Sequence, residues 1–272
     1  LLSFLSTFLL SGCLGGGGGT TSVITETFVD WSSITKTIQV DLEGISTDVS
    51  YTANDYNIAT LTNKGTDLTT TASVQYRTDN TISGISITTQ NGTVTFDEDN
   101  NDTIGTTGTT IYGYNGSGSD FFLAADPLNS SVNWNYQTFG IWETGRGTGS
   151  GTAGGISVGT ITTGSNIPAS GTATYTGYYG GAFSDRDGDD FLTRGIVSVS
   201  TDFGERTLGF QTTGDEFVSP VTSTPSWTRD TNQAMSGTLT YTPANNSFTG
   251  DVTDGYNNSG AATGRFYGPN AE

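Results

Sequence analysis

The chain of 272 residues contains no histidine, and this absence removes more chemistry than any other feature of its composition. Without an imidazole there is no Ser-His-Asp or Cys-His pair, and no zinc site of the common Cys/His kinds. Cysteine occurs once, at Cys13, so no internal disulfide can form. Basic residues are scarce: nine Lys+Arg face 27 Asp+Glu, a formal net charge of −18. Such a surface repels phosphate backbones and anionic headgroups, which argues against nucleic acid as a partner. Glycine-rich stretches such as Gly145 to Gly155 lack the Gly-Lys-Ser/Thr of a phosphate loop and have no helix to follow them. Among the many carboxylates, no pair is set apart from surface charge as an acid–base couple. The composition therefore reads as that of a non-enzyme that needs no cofactor.

Long apolar runs are missing too, with one short exception at the very start. Leu1 to Leu10 is almost wholly apolar and runs into Leu10-Ser11-Gly12-Cys13. It is shorter than the roughly 20 residues needed to cross a hydrocarbon core. A short apolar segment followed by small residues reads as a secretory signal with its cleavage site. The order Leu10, Ser11, Gly12, Cys13 resembles the lipobox of bacterial lipoproteins, which implies cleavage before Cys13 and lipid on its thiol. Thioether and amide acyl chains, palmitate among them, would give the multiple lipid chains that stable anchoring requires. Gly15 to Gly19 follow directly, and Gly-rich segments behave as flexible tethers. Leu14 stands where lipoproteins held at the inner membrane of enteric bacteria carry aspartate, so the same resemblance implies the outer membrane. The first residue is Leu, and no basic segment precedes the apolar run, so further residues are expected ahead of it.

What is abundant points to β structure. Charged residues are only 13%, while Phe 14, Tyr 12 and Trp 4 are plentiful, which is unlike a disordered chain. Threonine, glycine and aromatics together suit many short strands joined by tight turns. No stretch of twelve residues carries a helical period, although Phe28 to Ile34 is long enough for one turn. In the N-terminal half, strands are expected at 35–40, 49–53, 56–61, 72–78, 121–124 and 134–142. Ile85 and Ile87 share a face after a parity slip from Ile82, which predicts a bulge at Gly84. Asn91-Gly92 signals a hairpin leading into Val94 and Phe96. Further on, Ala173, Tyr175, Gly177 and Tyr179 alternate with threonines, and Val197, Val199, Thr201 and Phe203 do likewise. Hairpins are expected through Gly204-Glu205-Arg206 and through Ala244-Asn245-Asn246, with a last strand from Ala261 to Gly268. Glycines inside these strands suit a small, strongly curved barrel.

Two acidic clusters and a set of aromatic segments are candidate binding elements. Asp185, Asp187 and Asp189 alternate as calcium ligands do, yet the glycine comes early and no bidentate glutamate follows. The run 97–102 is similar and lacks the glycine. Solvated turns account for both, because Asp, Asn and Gly favour turns. Calcium is thus the one metal that merits a test. Tyr112-Gly-Tyr114, Phe121-Phe122 and Trp134 to Trp142 read either as core filling or as an exposed recognition surface.

Gly171-Thr-Ala-Thr-Tyr-Thr-Gly177, Thr201-Asp-Phe-Gly204 and above all Gly264-Arg-Phe-Tyr-Gly-Pro-Asn-Ala-Glu272 resemble the C-terminal β-barrel of transferrin-binding protein B. Factor H binding protein shares that barrel. The run Tyr136-Gln-Thr-Phe-Gly-Ile-Trp142, with Gly149 to Gly159 after it, resembles transferrin-binding-like proteins of proteobacteria. The resemblance implies an all-β chain with an N-terminal antiparallel region and a small eight-stranded antiparallel barrel, here truncated to about six strands, so that about two further strands are expected after Glu272. The expected organisation is a signal peptide at 1–13, a tether at 14–22, a handle-like β region at 23–144, a Gly/Thr/Ser-rich connection at 145–167 and the barrel at 168–272. It further implies display on the outer membrane through the lipid anchor and binding of an unidentified extracellular protein or solute. No loop matches a transferrin-contacting one, so transferrin itself is not implied. A structural or adhesive coat protein is the alternative. An integral membrane barrel is disfavoured because the faces opposite the apolar ones carry Thr, Ser and Asp.

Overall fold

A computed structural model describes residues 39–54, 57–77, 79, 81–126, 136–184, 190–218 and 226–272. Within them there is no α-helix, and the strands form two antiparallel sheets. The first contains β1 (Gln39–Asn54), β2 (Asn57–Tyr76), β3 (Ile82–Thr89), β4 (Gly92–Asp97), β5 (Thr103–Thr107), β6 (Thr110–Tyr114), β7 (Phe121–Ala125), β8 (Gln137–Thr144) and β9 (Ser150–Gly159). Its order is β4-β3-β2-β1-β9-β8-β7-β6-β5, so the last strand, β9, inserts beside the first. The sheet rolls on itself around Leu42, Ile85, Ile87, Phe96, Phe122, Trp142 and Ile156. Phe96 from one end reaches Phe122 near the other, with ring centroids 6.4 Å apart. Gly113 makes this approach possible, since a Cβ there would lie 3.2 Å from the Phe96 ring.

The second sheet contains β10 (Thr172–Ser184), β11 (Asp190–Asp202), β12 (Thr207–Val218), β13 (Thr228–Arg229), β14 (Met235–Thr242), β15 (Ser247–Asp254) and β16 (Ser259–Gly264). Its order is β10-β11-β12-β14-β15-β16, with the two-residue β13 pairing on β12. Six strands of full length are therefore present, as expected, and β10 and β16 form the two edges. Val197, Val199, Leu208, Phe210, Leu239, Tyr241, Phe248 and Val252 fill the concave side. These are the same alternating positions that the sequence marks as apolar, and burying each of the larger ones contributes about 1.5–3 kcal/mol.

Several expectations shift at the level of local structure. The separate strands 56–61 and 72–78 are parts of one strand, β2. The bulge expected at Gly84 is present: Gln75 pairs with Gly84 and Tyr76 with Ile82, so one residue is passed over. The Asn91-Gly92 hairpin turns one residue earlier, through Gln90-Asn91, because Thr89 pairs with Gly92. The last strand ends at Gly264 rather than Gly268, and only Tyr267 makes an isolated bridge, to Ile161.

The largest correction concerns 145–167. Its glycines read as a connection, yet Ser150–Gly159 is β9, hydrogen-bonded on both sides to β1 and β8 near the middle of the first sheet. Here glycine is needed for closeness rather than for freedom. A Cβ on Gly154 would lie 2.8 Å from the Thr47 carbonyl oxygen and 3.0 Å from the Trp142 ring. The first sheet therefore runs to residue 159, and only the short stretch from Thr160 to Gly171 joins the two sheets.

That joint is held by the segment after β16. The Phe266 ring enters the second core against Tyr241 and Phe248, at centroid distances of 5.2 and 5.4 Å. The next side chain points the other way: the Tyr267 hydroxyl donates to the Ser157 carbonyl of β9 at 2.7 Å. Gly268 N–H donates to Thr160 O at 2.9 Å, and Thr162 Oγ1 donates to Gly268 O at 2.7 Å. Asn246 Nδ2 donates to both Thr162 O and Phe266 O at 2.7 Å, and its Oδ1 accepts from Phe266 N–H at 2.8 Å. The motif from Gly264 to Glu272 is thus the clasp between the sheets. Gly264 itself must lack a side chain, because its Cβ would lie 2.0 Å from the Phe248 ring.

Candidate functional site

In β7 and β8 the residue parity that faces away from the first core is also apolar. Phe122, Ala124 and Trp142 point inward, while Leu123 and Ile141, direct cross-strand partners, point outward. The second sheet has a matching anomaly. On the outer side of β10 and β11, Tyr178 pairs with Ile196, and both are exposed, Tyr178 by 64%. Ordinary β packing would place Thr or Ser at these positions, as it does at Thr172, Thr174 and Thr176 of β10.

These two faces look at each other across a cleft of about 610 Å³. One wall is Leu123, Phe139 and Ile141; the other is Tyr178, Leu192 and Trp227. Between them the walls carry Ala124, Ala125, Gly140, Gly180 and Gly181, whose small size leaves the room. The volume lies in the range of about 300–1,000 Å³ typical of small-ligand sites, and the lining is mostly apolar with a few polar groups. Arg194 supplies a fixed cation at one end. Its Nε and Nη2 both donate to Glu216 Oε2, at 3.0 and 2.8 Å, and its guanidinium stacks on Trp227 at 3.9 Å from the ring centroid. Stacking and pairing together hold the Trp227 ring in one orientation.

The cleft offers aromatic and aliphatic surface, threonine hydroxyls and one neutralised cation. Carboxylates buried elsewhere are engaged in structure. Asp48 accepts from Thr89 Oγ1 at 2.7 Å and from Gln90 Nε2 at 3.0 Å. Asp215 accepts from the Tyr179 hydroxyl and from Thr212 Oγ1. Burial, reinforced by the Asp215 carboxylate, raises the pKa of Tyr179 above the ordinary tyrosine value. Burial first, then Glu143, does the same for Tyr51.

The lipobox residues Leu10, Ser11 and Gly12, the anchor Cys13, and the acidic residues Asp185, Asp187 and Asp189 all lie outside the described residues. The second acidic run, 97–102, is a tight turn: Asp97 Oδ1 accepts from Asp99 N–H at 2.9 Å, and Asp102 Oδ2 accepts from Asp97 N–H at 2.9 Å. Glu98 pairs with Arg77. Among the described residues, no three carboxylate, cysteine or histidine groups gather as metal ligands. The aromatic segments divide between the two roles foreseen for them. Phe122 and Trp142 are core, while Tyr112, Tyr114 and Phe121 face outward, with Arg146 at 5.9 Å from the Phe121 ring centroid. Tyr178, Ile196 and Trp227, on the cleft side of the second sheet, were not singled out by sequence. For Tyr178 the signal was an aromatic residue at the parity that holds Thr172, Thr174 and Thr176 earlier in the same strand.

No family model matches the chain, and no curated protein matches it by sequence. Solved structures do. A single-site mutant of transferrin-binding protein B from Haemophilus parasuis Hp5, described as a vaccine antigen, is 13% identical with a TM-score of 0.42, over 82% of this chain and 53% of that one. A double mutant of the same protein gives 11% identity and a TM-score of 0.30, over 79% and 57%. The intact N and C lobes of Ap-TbpB give 9% identity and a TM-score of 0.25, over 86% and 77%. The chain is thus similar to transferrin-binding protein B structures, and it spans about half the length of the first of them.

Proposed function

We propose that this protein is a non-catalytic lipoprotein, anchored through Cys13 to the outer membrane, that binds a protein or solute outside the cell. The carrying observation is the cleft between the outer faces of the two sheets, where Leu123, Ile141, Tyr178 and Trp227 present apolar surface that neither core uses. Aromatic anchors in a pocket are the usual energetic centre of a binding surface. The lipobox order at Leu10 to Cys13, the glycine tether after it and the similarity to transferrin-binding protein B support the anchored, exported setting. Protease treatment of intact cells carrying the full-length gene tests the location, with Cys13→Ala as control. Digestion of the wild type without permeabilisation is expected, and protection until permeabilisation would refute surface capture. Saturable binding of a component of the growth medium, lost on Tyr178→Ser with Leu123→Ser, is expected of a ligand cleft. A coat protein would show no saturable component.

A further inference from the structure

The sequence contains two asparagine–glycine pairs, Asn91-Gly92 and Asn115-Gly116, and the fold treats them in opposite ways. Glycine has no Cβ to shield its backbone nitrogen, which can therefore attack the carboxamide carbon Cγ of the asparagine before it. The N–Cγ bond forms, the Cγ–Nδ2 bond breaks, and the amide proton leaves with the amino group as ammonia. A five-membered succinimide remains. Water then opens that ring at either carbonyl, giving aspartate or isoaspartate and one new carboxylate.

In a folded chain this reaction needs a carboxamide that is free to turn. Asn115 is not free: Nδ2 donates to Ser119 Oγ at 3.0 Å, and Oδ1 accepts from Asp120 N–H at 3.1 Å and from Ser117 Oγ at 3.0 Å. Asn91 is exposed, and among the described residues nothing bonds to its carboxamide; only its backbone N–H is engaged, donating to Thr89 Oγ1 at 3.2 Å. Gly92 is exposed too, at φ 128°, and a Cβ there would meet nothing within 4 Å, so the approach to its nitrogen is open. Its pairing with Thr89 is the last of the β3–β4 ladder, and terminal pairs open at little free-energy cost.

The turn also closes over a buried charge. Thr89 Oγ1, which accepts from Asn91 N–H, donates to Asp48 Oδ2, and Gln90 Nε2 donates to Asp48 Oδ1. Asp48 is 0% exposed. We propose that Asn91 is a site of spontaneous deamidation in the folded chain, and that the change loosens the hold of the β3–β4 turn on Asp48. Isoaspartate routes the backbone through the side-chain carbons, one methylene longer, which takes Gly92 out of register with Thr89. Either product places a second negative charge on the turn that covers Asp48.

The test incubates the full chain in mildly alkaline buffer, once folded and once in urea, and follows both pairs by peptide mass spectrometry. In urea the two are expected to react at similar rates. In the folded chain Asn91 is expected to react about tenfold faster than Asn115 or more, because Asn115 must first give up three hydrogen bonds. Ser117→Ala with Ser119→Ala should raise the folded rate at Asn115 toward that of Asn91. Asn91→Gln should abolish the reaction at its turn and leave Asn115 unchanged. The modified fraction, separated by its extra charge on an anion exchanger, is expected to exchange the amides of 89–92 about tenfold faster than the unmodified one. Equal rates at the two pairs in the folded chain, or an Asn91 that reacts only in urea, would overturn the site. Unchanged exchange at 89–92 in the modified fraction would overturn the link to Asp48.

Discussion

Replacing Asn246 by alanine tests the clasp between the two sheets most directly. The residue is buried and sits just past the turn Pro243–Asn245 with φ 42° and ψ 53°, a left-handed conformation. Truncation removes the donor to Thr162 O and the acceptor for Phe266 N–H, which have no other partner shown, while Phe266 O keeps its bond from Thr162 N–H. Each buried backbone group left without a partner costs about 1–3 kcal/mol. Alanine in the left-handed region adds about 1 kcal/mol. The expected loss is about 4 kcal/mol, a large share of the roughly 5–15 kcal/mol that stabilises a domain. Urea unfolding followed by tryptophan fluorescence measures it. Amide exchange at 160–162 and 265–268 should accelerate in parallel. Asn246→Gly restores the backbone freedom alone and should recover about 1 kcal/mol relative to alanine. A loss below about 1 kcal/mol for Asn246→Ala would refute the reasoning, since it would mean that water already satisfies these groups.

Tyr267→Phe keeps the packing but removes the bond to Ser157 O, and should lower stability by about 1–2 kcal/mol in the same assay. Gly264→Ala places a methyl group into the Phe248 ring, and should reduce stability by about 1–3 kcal/mol through overpacking, read as a lowered urea midpoint. Tyr51, Tyr179 and Tyr267 have folded-state values raised above the ordinary 10.0, chiefly by burial. Their contribution is complete below pH 10 and declines as the pH rises beyond it, so unfolding at high pH should coincide with a late, cooperative phase of tyrosinate absorbance. Smooth titration of all tyrosines near pH 10 with the fold intact would contradict this. Trp227→Ala should free the Arg194 guanidinium from its stack and lose about 0.5–1 kcal/mol, with no change in amide exchange of the second core.

The second sheet was legible because its two faces differ in kind. Val197, Val199 and Phe203 alternate with Ser198, Ser200 and Asp202, so parity alone assigns inside and outside. β2 was broken into pieces in the reading because its alternation is interrupted. Its register against β1 shifts opposite Gly44/Ser46, Asp48/Ser50 and Thr52/Ala53, each time with one extra residue in β2, while β1 runs without a shift along β9. β9 was hidden by its glycines, whose reasons lie in the neighbouring strands: the Thr47 carbonyl of β1 beside Gly154, and the Thr144 carbonyl of β8 beside Gly151. The cleft could not be read at all, because it depends on how the outer face of one sheet meets the outer face of the other. The clasp was recognised as a motif from Gly264 to Glu272, but its work, with Phe266 serving one core and Tyr267 the other sheet, needed three dimensions.

The insertion of β9 beside β1 has a consequence for how the chain reaches its native state. Thr52 pairs with Ser150 and Glu43 with Gly159, so the middle of the first sheet closes over a loop of about a hundred residues. Closing long loops before their contacts form is the slow step of β topologies. A chain emerging N-terminus first would expose β1 and β2 as an incomplete ribbon until β9 arrives. Hydrophobic contacts on that ribbon would remain open meanwhile, a state prone to aggregation. What the wait for β9 leaves open is the β9-facing edge of β1, from Glu43 to Thr52, which stays without its partner until the strand ending at Gly159 is delivered.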